Sequence, residues 1–158
     1  MSRTIKFRAW IRDAKKMVYD DDQDEFLTYQ NGKWWVDFES AYPNHELVAG
    51  EDHEIPNWEQ TEDIDLMQFT GLSDKNGKEI YEWDVFPSAK GNWVVKFGAW
   101  DYWTGKNLTP MYGWYGECQT LEGKSHGQLP LTHISTGEHV EVIGNIYENT
   151  ELLTTNPE

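Results

Sequence analysis

The chain has 158 residues, 38% hydrophobic and 15% aromatic with nine Trp, and a formal net charge of −15 at pH 7. That length suits one domain, or one small barrel with an elaborated half; the aromatic content supplies the buried area that a modest hydrophobic fraction lacks, and a single cysteine, Cys118, excludes an intrachain disulfide. So acidic a chain repels a phosphate backbone, so direct nucleic-acid binding is not expected, and with no apolar run near the ~20 residues of a membrane span and no signal-peptide core, a soluble cytoplasmic protein is expected.

Charge is unevenly placed. Residues 1–17 hold six basic groups and one acid, residues 18–65 one base and fifteen acids, and residues 66–158 six bases and twelve acids. Within the basic start, Ile5, Phe7 and Ala9 alternate with Lys6, Arg8 and Trp10, the period of a half-buried strand. A polar turn at residues 12–15 and a returning strand over 16–19 complete a hairpin. The acidic run from Asp20 to Glu25 has no apolar period and reads as a solvated margin. A second hairpin is predicted from 26–29 and 34–38 around Asn31-Gly32.

From Glu39 to Ile64 two prolines, many acids and no period predict an acidic insertion, with a short helical turn near 57–61. The stretch 65–85 predicts the central hairpin, turning at Asn76-Gly77, because both residues tolerate the positive φ of a tight reverse turn. Residues 92–97 predict a further strand, with Trp93 and Phe97 assigned to the core. Short strands around a loop are expected over 100–115, an irregular excursion over 118–130, a last strand over 140–147, and a helical turn over 148–153. The whole reads as all-β, divided into an N-terminal hairpin region with the acidic insertion (1–64) and a C-terminal barrel (65–158).

Three blocks, Ile5–Trp10, Leu66–Glu82 and Val140–Asn149, resemble in sequence and order the YopX-like family, found mainly in bacteriophages and prophages. The resemblance implies an all-β fold with an SH3-like barrel in the C-terminal portion, a phage or prophage origin, and no known enzymatic activity. The family usually has glycine where this chain has Trp83. An ordinary φ, with the ring packed or exposed, is expected there.

Asp20, Asp22 and Asp24 occupy the first positions of a calcium loop, but Glu25 stands at the glycine position and Asn31 at the closing glutamate, so no metal site is expected. Gly71, Gly77 and Lys78 miss the spacing and the Ser/Thr of a phosphate loop, which leaves a β-turn. The five histidines, His45, His53, His126, His133 and His139, lack ligand spacing, and Cys118 becomes a nucleophile only if the fold brings His133 or His139 to it. No cofactor, catalytic residue or enzymatic activity is expected.

The aromatics of 93–115 exceed what a core strand pair needs, so some of Trp100, Trp103 and Trp114 are expected at an interaction surface. Three functions follow from different classes. The leading one is an accessory protein that acts by binding a host or phage protein, or itself. The second is an acidic nucleic-acid mimic that inhibits a host DNA-binding enzyme, motivated by residues 18–65; the third, a small-substrate enzyme, lacks a convergent acid, base and binding group.

Overall fold

A computed structural model describes residues 4–12, 14–20, 25–38, 63–88, 91–119, 125–135 and 141–153. Their architecture is all-β with one short helix and one 3-10 turn. The acidic insertion over 39–62, its expected helical turn, Asp22, Asp24 and His139 lie outside the described residues. The chain divides into two compact units, one of Lys6–Met67 and one of Met1–Ile5 with Gln68–Glu158.

In the first unit, β1 (Phe7–Ile11) and β2 (Lys16–Tyr19) form the expected hairpin, with Ala9 opposite Val18. β3 (Glu25–Gln30) and β4 (Lys33–Phe38) form the second, closed by Asn31 at φ 55° and Gly32 at φ 81°. Two successive positive φ values match the strand twist, which is why Asn-Gly is favoured there. β1 also lies beside the first residues of β5 (Ile64–Ser73). Ala9, Ile11, Val18 and Val36 form the core, with Leu27, Ile64 and Leu66 packed on it; each fully buried aliphatic side chain contributes about 1.5–3 kcal/mol. Arg12 fixes the edge: its guanidinium donates to Asp63 and to both carboxylate oxygens of Asp65, and those bonds hold its pKa far above the usual value. Arg8 differs from the alternation read in the sequence. It is only 2% exposed, with Nε 3.4 Å from the Met67 sulfur, because the middle of β1 is covered on both faces.

In the second unit, the later residues of β5 pair with β6 (Glu79–Tyr81), and the register shifts between Phe69 and Ser73, where Gly71 takes φ 85°. The turn falls at 74–78 as expected, with Gly77 at φ 82°. β7 (Asp84–Phe86) pairs with the start of β8 (Asn92–Trp103), which pairs along its whole length with β9 (Leu108–Gln119). β10 (Ser125–Pro130) adds to β9, α1 (Leu131–Ser135) follows, and β11 (Gly144–Asn145) pairs with β7. The sheet order is β10-β9-β8-β7-β11. Ile80, Phe86, Val95, Leu131 and Val142 form its core, against which Leu72, Trp93, Trp114 and Leu129 pack.

Five expectations are corrected here. Residues 100–115 are the far half of one long hairpin, and 118–130 carries strand at both ends, because the β8–β9 register runs unbroken from Asn92↔Gln119 to Trp103↔Leu108. The strand expected over 140–147 shrinks to Gly144–Asn145. There the chain turns at once: Asn145 Oδ1 accepts from Tyr147 and Glu148 N–H, and Asn149 N–H returns to the Asn145 carbonyl. Trp83 takes φ 66°, not an ordinary value. Its N–H donates to the Val95 carbonyl and its own carbonyl accepts from Ile146, so β8 and the turn after β11 hold it in the left-handed region. Phe97 is 45% exposed rather than in the core.

That last correction has a local cause. Gly98 and Gly113 are paired across β8 and β9, and both take φ 144°, a conformation open to glycine and costly for other residues. Before the pair, Val95 and Trp93 face the core; after it, the same face carries exposed residues, and Trp100, on the opposite face, is buried. A bend at a glycine pair thus lets one hairpin change its buried face.

Candidate interaction surface

The far half of the β8–β9 hairpin carries large apolar side chains into solvent. Side chains of a strand alternate between faces and directly paired residues share one, so Phe97, Trp103, Leu108, Tyr112 and Trp114 lie on one face, given the pairs Phe97↔Trp114, Ala99↔Tyr112 and Trp103↔Leu108. Trp103 is 59% exposed, Tyr112 75%, and Leu108 is also exposed. Phe97 contacts Tyr112 edge-on at 5.4 Å and Trp114 at 4.8 Å between ring centroids, which braces the exposed rings on a half-buried one.

The three tryptophans expected at a surface are therefore placed differently. Trp103 is exposed. Trp114 is half-buried against the core, and its Nε1 is buried with no hydrogen-bond partner among the described residues. Trp100 is 6% exposed and stacks on Tyr115 at 5.7 Å with an 18° interplanar angle, so it belongs to the interior. Tyr102 meets Trp100 edge-on and His133 edge-on, which places that histidine against a ring.

The opposite face of the hairpin carries a chain of polar contacts. Lys96 forms an ion pair with Glu117, and its ammonium lies 5.7 Å from the Trp83 ring centroid. Glu117 also accepts from Gln128 Nε2, and Gln128 Oε1 accepts the Asp101 backbone N–H at 3.1 Å. Burial pushes the Tyr115 phenol above its ordinary pKa, with Lys96 opposing and Glu117 and Glu82 adding to the rise. Glu82 is pushed up in the same way by burial, although its carboxylate accepts the backbone N–H groups of Phe97 and Gln68, which pull it down. Nothing in the sequence pattern singles out Glu82 or Gln128, whereas Trp83 stands out there for its φ and not for a place beside Lys96. The one signal available was Trp83 at a position where the resembled family has glycine.

Cys118 is buried and His133 is exposed. Gly71 lies in the irregular part of β5, and Gly77 and Lys78 lie in the turn that follows it. Among the described residues, no group of three or more His, Cys, Asp or Glu side chains is arranged to hold a metal ion, and no helix is long and apolar enough to cross a membrane.

The model of the family described as YopX protein matches residues 6–154. No curated protein matches the chain. Among solved structures, the crystal structure of protein EF1440 from Enterococcus faecalis is similar, with 24% identity, a TM-score of 0.48, and coverage of 96% of this chain and 99% of that one.

Proposed function

Since the chain belongs to the YopX family, whose model spans residues 6–154, we propose that it is a non-enzymatic interaction module, in keeping with the phage or prophage origin and cytoplasmic setting read from the sequence. It docks a protein partner through the exposed aromatic face of the β8–β9 hairpin. The observation that carries this reading is the exposure of Trp103, Leu108 and Tyr112 on one face beyond the Gly98–Gly113 bend. Isolated exposed apolar residues are ordinary, whereas clustered large ones mark interfaces, and a desolvated Trp is a frequent hot spot worth ~2 kcal/mol or more. The partner is a different protein with a basic surface: two copies each carrying −15 repel one another, while a cationic partner is drawn in. The SH3-like barrel implied by the resemblance belongs to the same proposal, and the bend that lets one hairpin line two sides of the interior supports it.

The test is co-purification from bacterial lysate at low salt and at ~0.5 M salt, where surface charge is screened, with the unsubstituted protein and a Trp103→Ala, Tyr112→Ala double variant. A specific partner lost by the double variant, with the melting temperature unchanged, is the expected result. Equal recovery by both proteins would defeat the reading. The acidic-mimic alternative rests on residues 18–65, most of which lie outside the described residues, and no observed feature favours it.

A further inference from the structure

The exposed face of the β8–β9 hairpin is not wholly apolar. The pairs Phe97↔Trp114, Ala99↔Tyr112, Asp101↔Pro110 and Trp103↔Leu108 lie on it, so a single carboxylate stands among aliphatic and aromatic side chains. On its own strand Asp101 has Ala99 and Trp103 two residues away, a distance of about 7 Å along an extended chain. Pro110 lies opposite it, and Tyr112 and Leu108 occupy the diagonals, within reach of long side chains. Asp101, Ala99 and Pro110 are exposed, as Trp103, Leu108 and Tyr112 are. The backbone that carries the carboxylate is held: Gln128 Oε1 accepts the Asp101 N–H at 3.1 Å, and the amide of Gln128 is itself anchored on Glu117. Among the described residues no side chain pairs with the carboxylate, so its charge is met by water.

A partner that covers Trp103 and Tyr112 also covers the residue between them. Taking an unpaired carboxylate out of water costs more than burying a ring contributes, and charged residues are depleted from the centre of interfaces. A partner that desolvates these rings must therefore bring a positive group to Asp101. The rings decide which group. A guanidinium is planar and weakly hydrated, grips a carboxylate through two parallel N–H groups and stacks on an aromatic face, whereas an ammonium is a compact, strongly hydrated point charge. Trp is the best ring for such stacking. Of the chain's own three arginines, Arg8 is buried and Arg12 is engaged by Asp63 and Asp65, which disfavours a second copy as the source; Arg3 lies outside the described residues.

We propose that Asp101 is the specificity-determining residue of the aromatic face and receives an arginine of the partner, whose guanidinium lies against the Trp103 ring. The inference rests on the interaction-module reading and names the group that the partner presents. It draws on the charge of this face alone.

The experiment uses the full chain and capped peptides of sequence Ala-Leu-X-Leu-Ala, in which X is arginine, lysine or citrulline, the last an uncharged isostere of arginine. Binding is followed by the NMR signals of the Trp103 indole N–H and the Asp101 amide. The arginine peptide is expected to bind about tenfold more tightly than the citrulline peptide, with the lysine peptide between them. Asp101→Asn, which keeps the shape of an exposed side chain, should lower the arginine peptide to the citrulline level, leave citrulline binding unchanged and leave the melting temperature unaltered. Equal binding of the three peptides, lost with the Trp103→Ala, Tyr112→Ala double variant, would overturn the arginine assignment and leave the aromatic docking reading standing. Partner capture that is lost with the double variant but undiminished with Asp101→Asn would do the same. Failure of the arginine peptide to bind overturns the inference. So does self-association of the chain, seen by sedimentation and lost with the double variant, which would make a second copy the occupant.

Discussion

The Asp74 carboxylate accepts the Val142 N–H at 3.1 Å, joining the central turn to a residue far along the chain. Its other oxygen accepts from Asn76 and Lys78, so one buried side chain both shapes its own turn and anchors the approach to β11. Replacing it by Asn puts an NH2 group where one of these donors now points. Asp74→Asn is expected to cost about 2–3 kcal/mol, since hydrogen bonds to a buried charged acceptor are among the stronger ones. Urea unfolding would check it, and a loss under ~0.5 kcal/mol would show that the turn closes without the carboxylate.

Acid should act through the same residue. Burial, the largest single influence on Asp74, raises its pKa, but the N–H groups of Val142, Asn76 and Lys78, with the Lys78 charge, outweigh it and leave the value lowered. A carboxylate depressed by folding contributes stability above its unfolded pKa, and that contribution is lost as pH falls through the folded one. Glu82 works in the opposite sense. Its folded pKa is raised, so its contribution is full below the ordinary glutamate value and declines as pH rises through the folded value. Stability measured against pH should therefore lose slope at the acid end in Asp74→Asn and in the upper carboxylate range in Glu82→Gln. Unchanged slopes would remove both assignments.

Gly144 has no room for a side chain. A Cβ there would lie 2.2 Å from Asn149 Oδ1 and 2.8 Å from a Leu152 methyl, inside the turn that Asn145 and Asn149 build. Gly144→Ala is expected to cost about 1–3 kcal/mol by overpacking, read as a lower thermal midpoint, and Asn149→Ala should restore part of it by clearing the oxygen.

Trp83→Gly should cost little. An L-residue in the left-handed region carries about 1–2 kcal/mol of strain, which its removal returns against the packing of a half-buried ring. The net change is expected within ~1 kcal/mol, far less than the ~3–5 kcal/mol of an ordinary buried Trp truncation. A loss in that larger range would mean that the indole is needed by the fold.

Trp100→Ala and Trp103→Ala separate interior from surface within one strand. The first should cost ~3–5 kcal/mol and the second within about 0.5 kcal/mol, both measured by chemical denaturation. Equal losses would contradict the change of buried face at the glycine pair.

Much of the strand pattern was legible in the residues. Asn31-Gly32 and Gly77 carry their turns in their own chemistry, and the alternation from Ile5 to Trp10 shows a strand without any partner in view. What the sequence leaves hidden depends on partners distant along the chain. Arg8 looks solvent-facing until both faces of β1 are covered, and Phe97 looks like core until the bend after it turns its face outward. Trp83 is the sharpest case. Intrinsic preference predicts negative φ, and only the bonds from Val95 and Ile146 override it. For the interaction surface, composition marked the aromatic excess of 93–115, but no local pattern distinguishes Trp100 from Trp103.

The Gly98–Gly113 pair also bears on how the hairpin finds its alignment during folding. Both residues must occupy the bend at once, because each takes a φ of 144° that its neighbours Phe97, Ala99, Tyr112 and Trp114 would adopt only under strain. If β9 slid by one residue, Gly98 would face Tyr112 or Trp114, and every side chain of one strand would turn to the wrong face. If it slid by two, the faces would be right again, but the bend would still require a bulky residue in a conformation suited to glycine. Two glycines set opposite one another thus act as a vernier, penalising the even slips that hydrophobic alternation alone would tolerate.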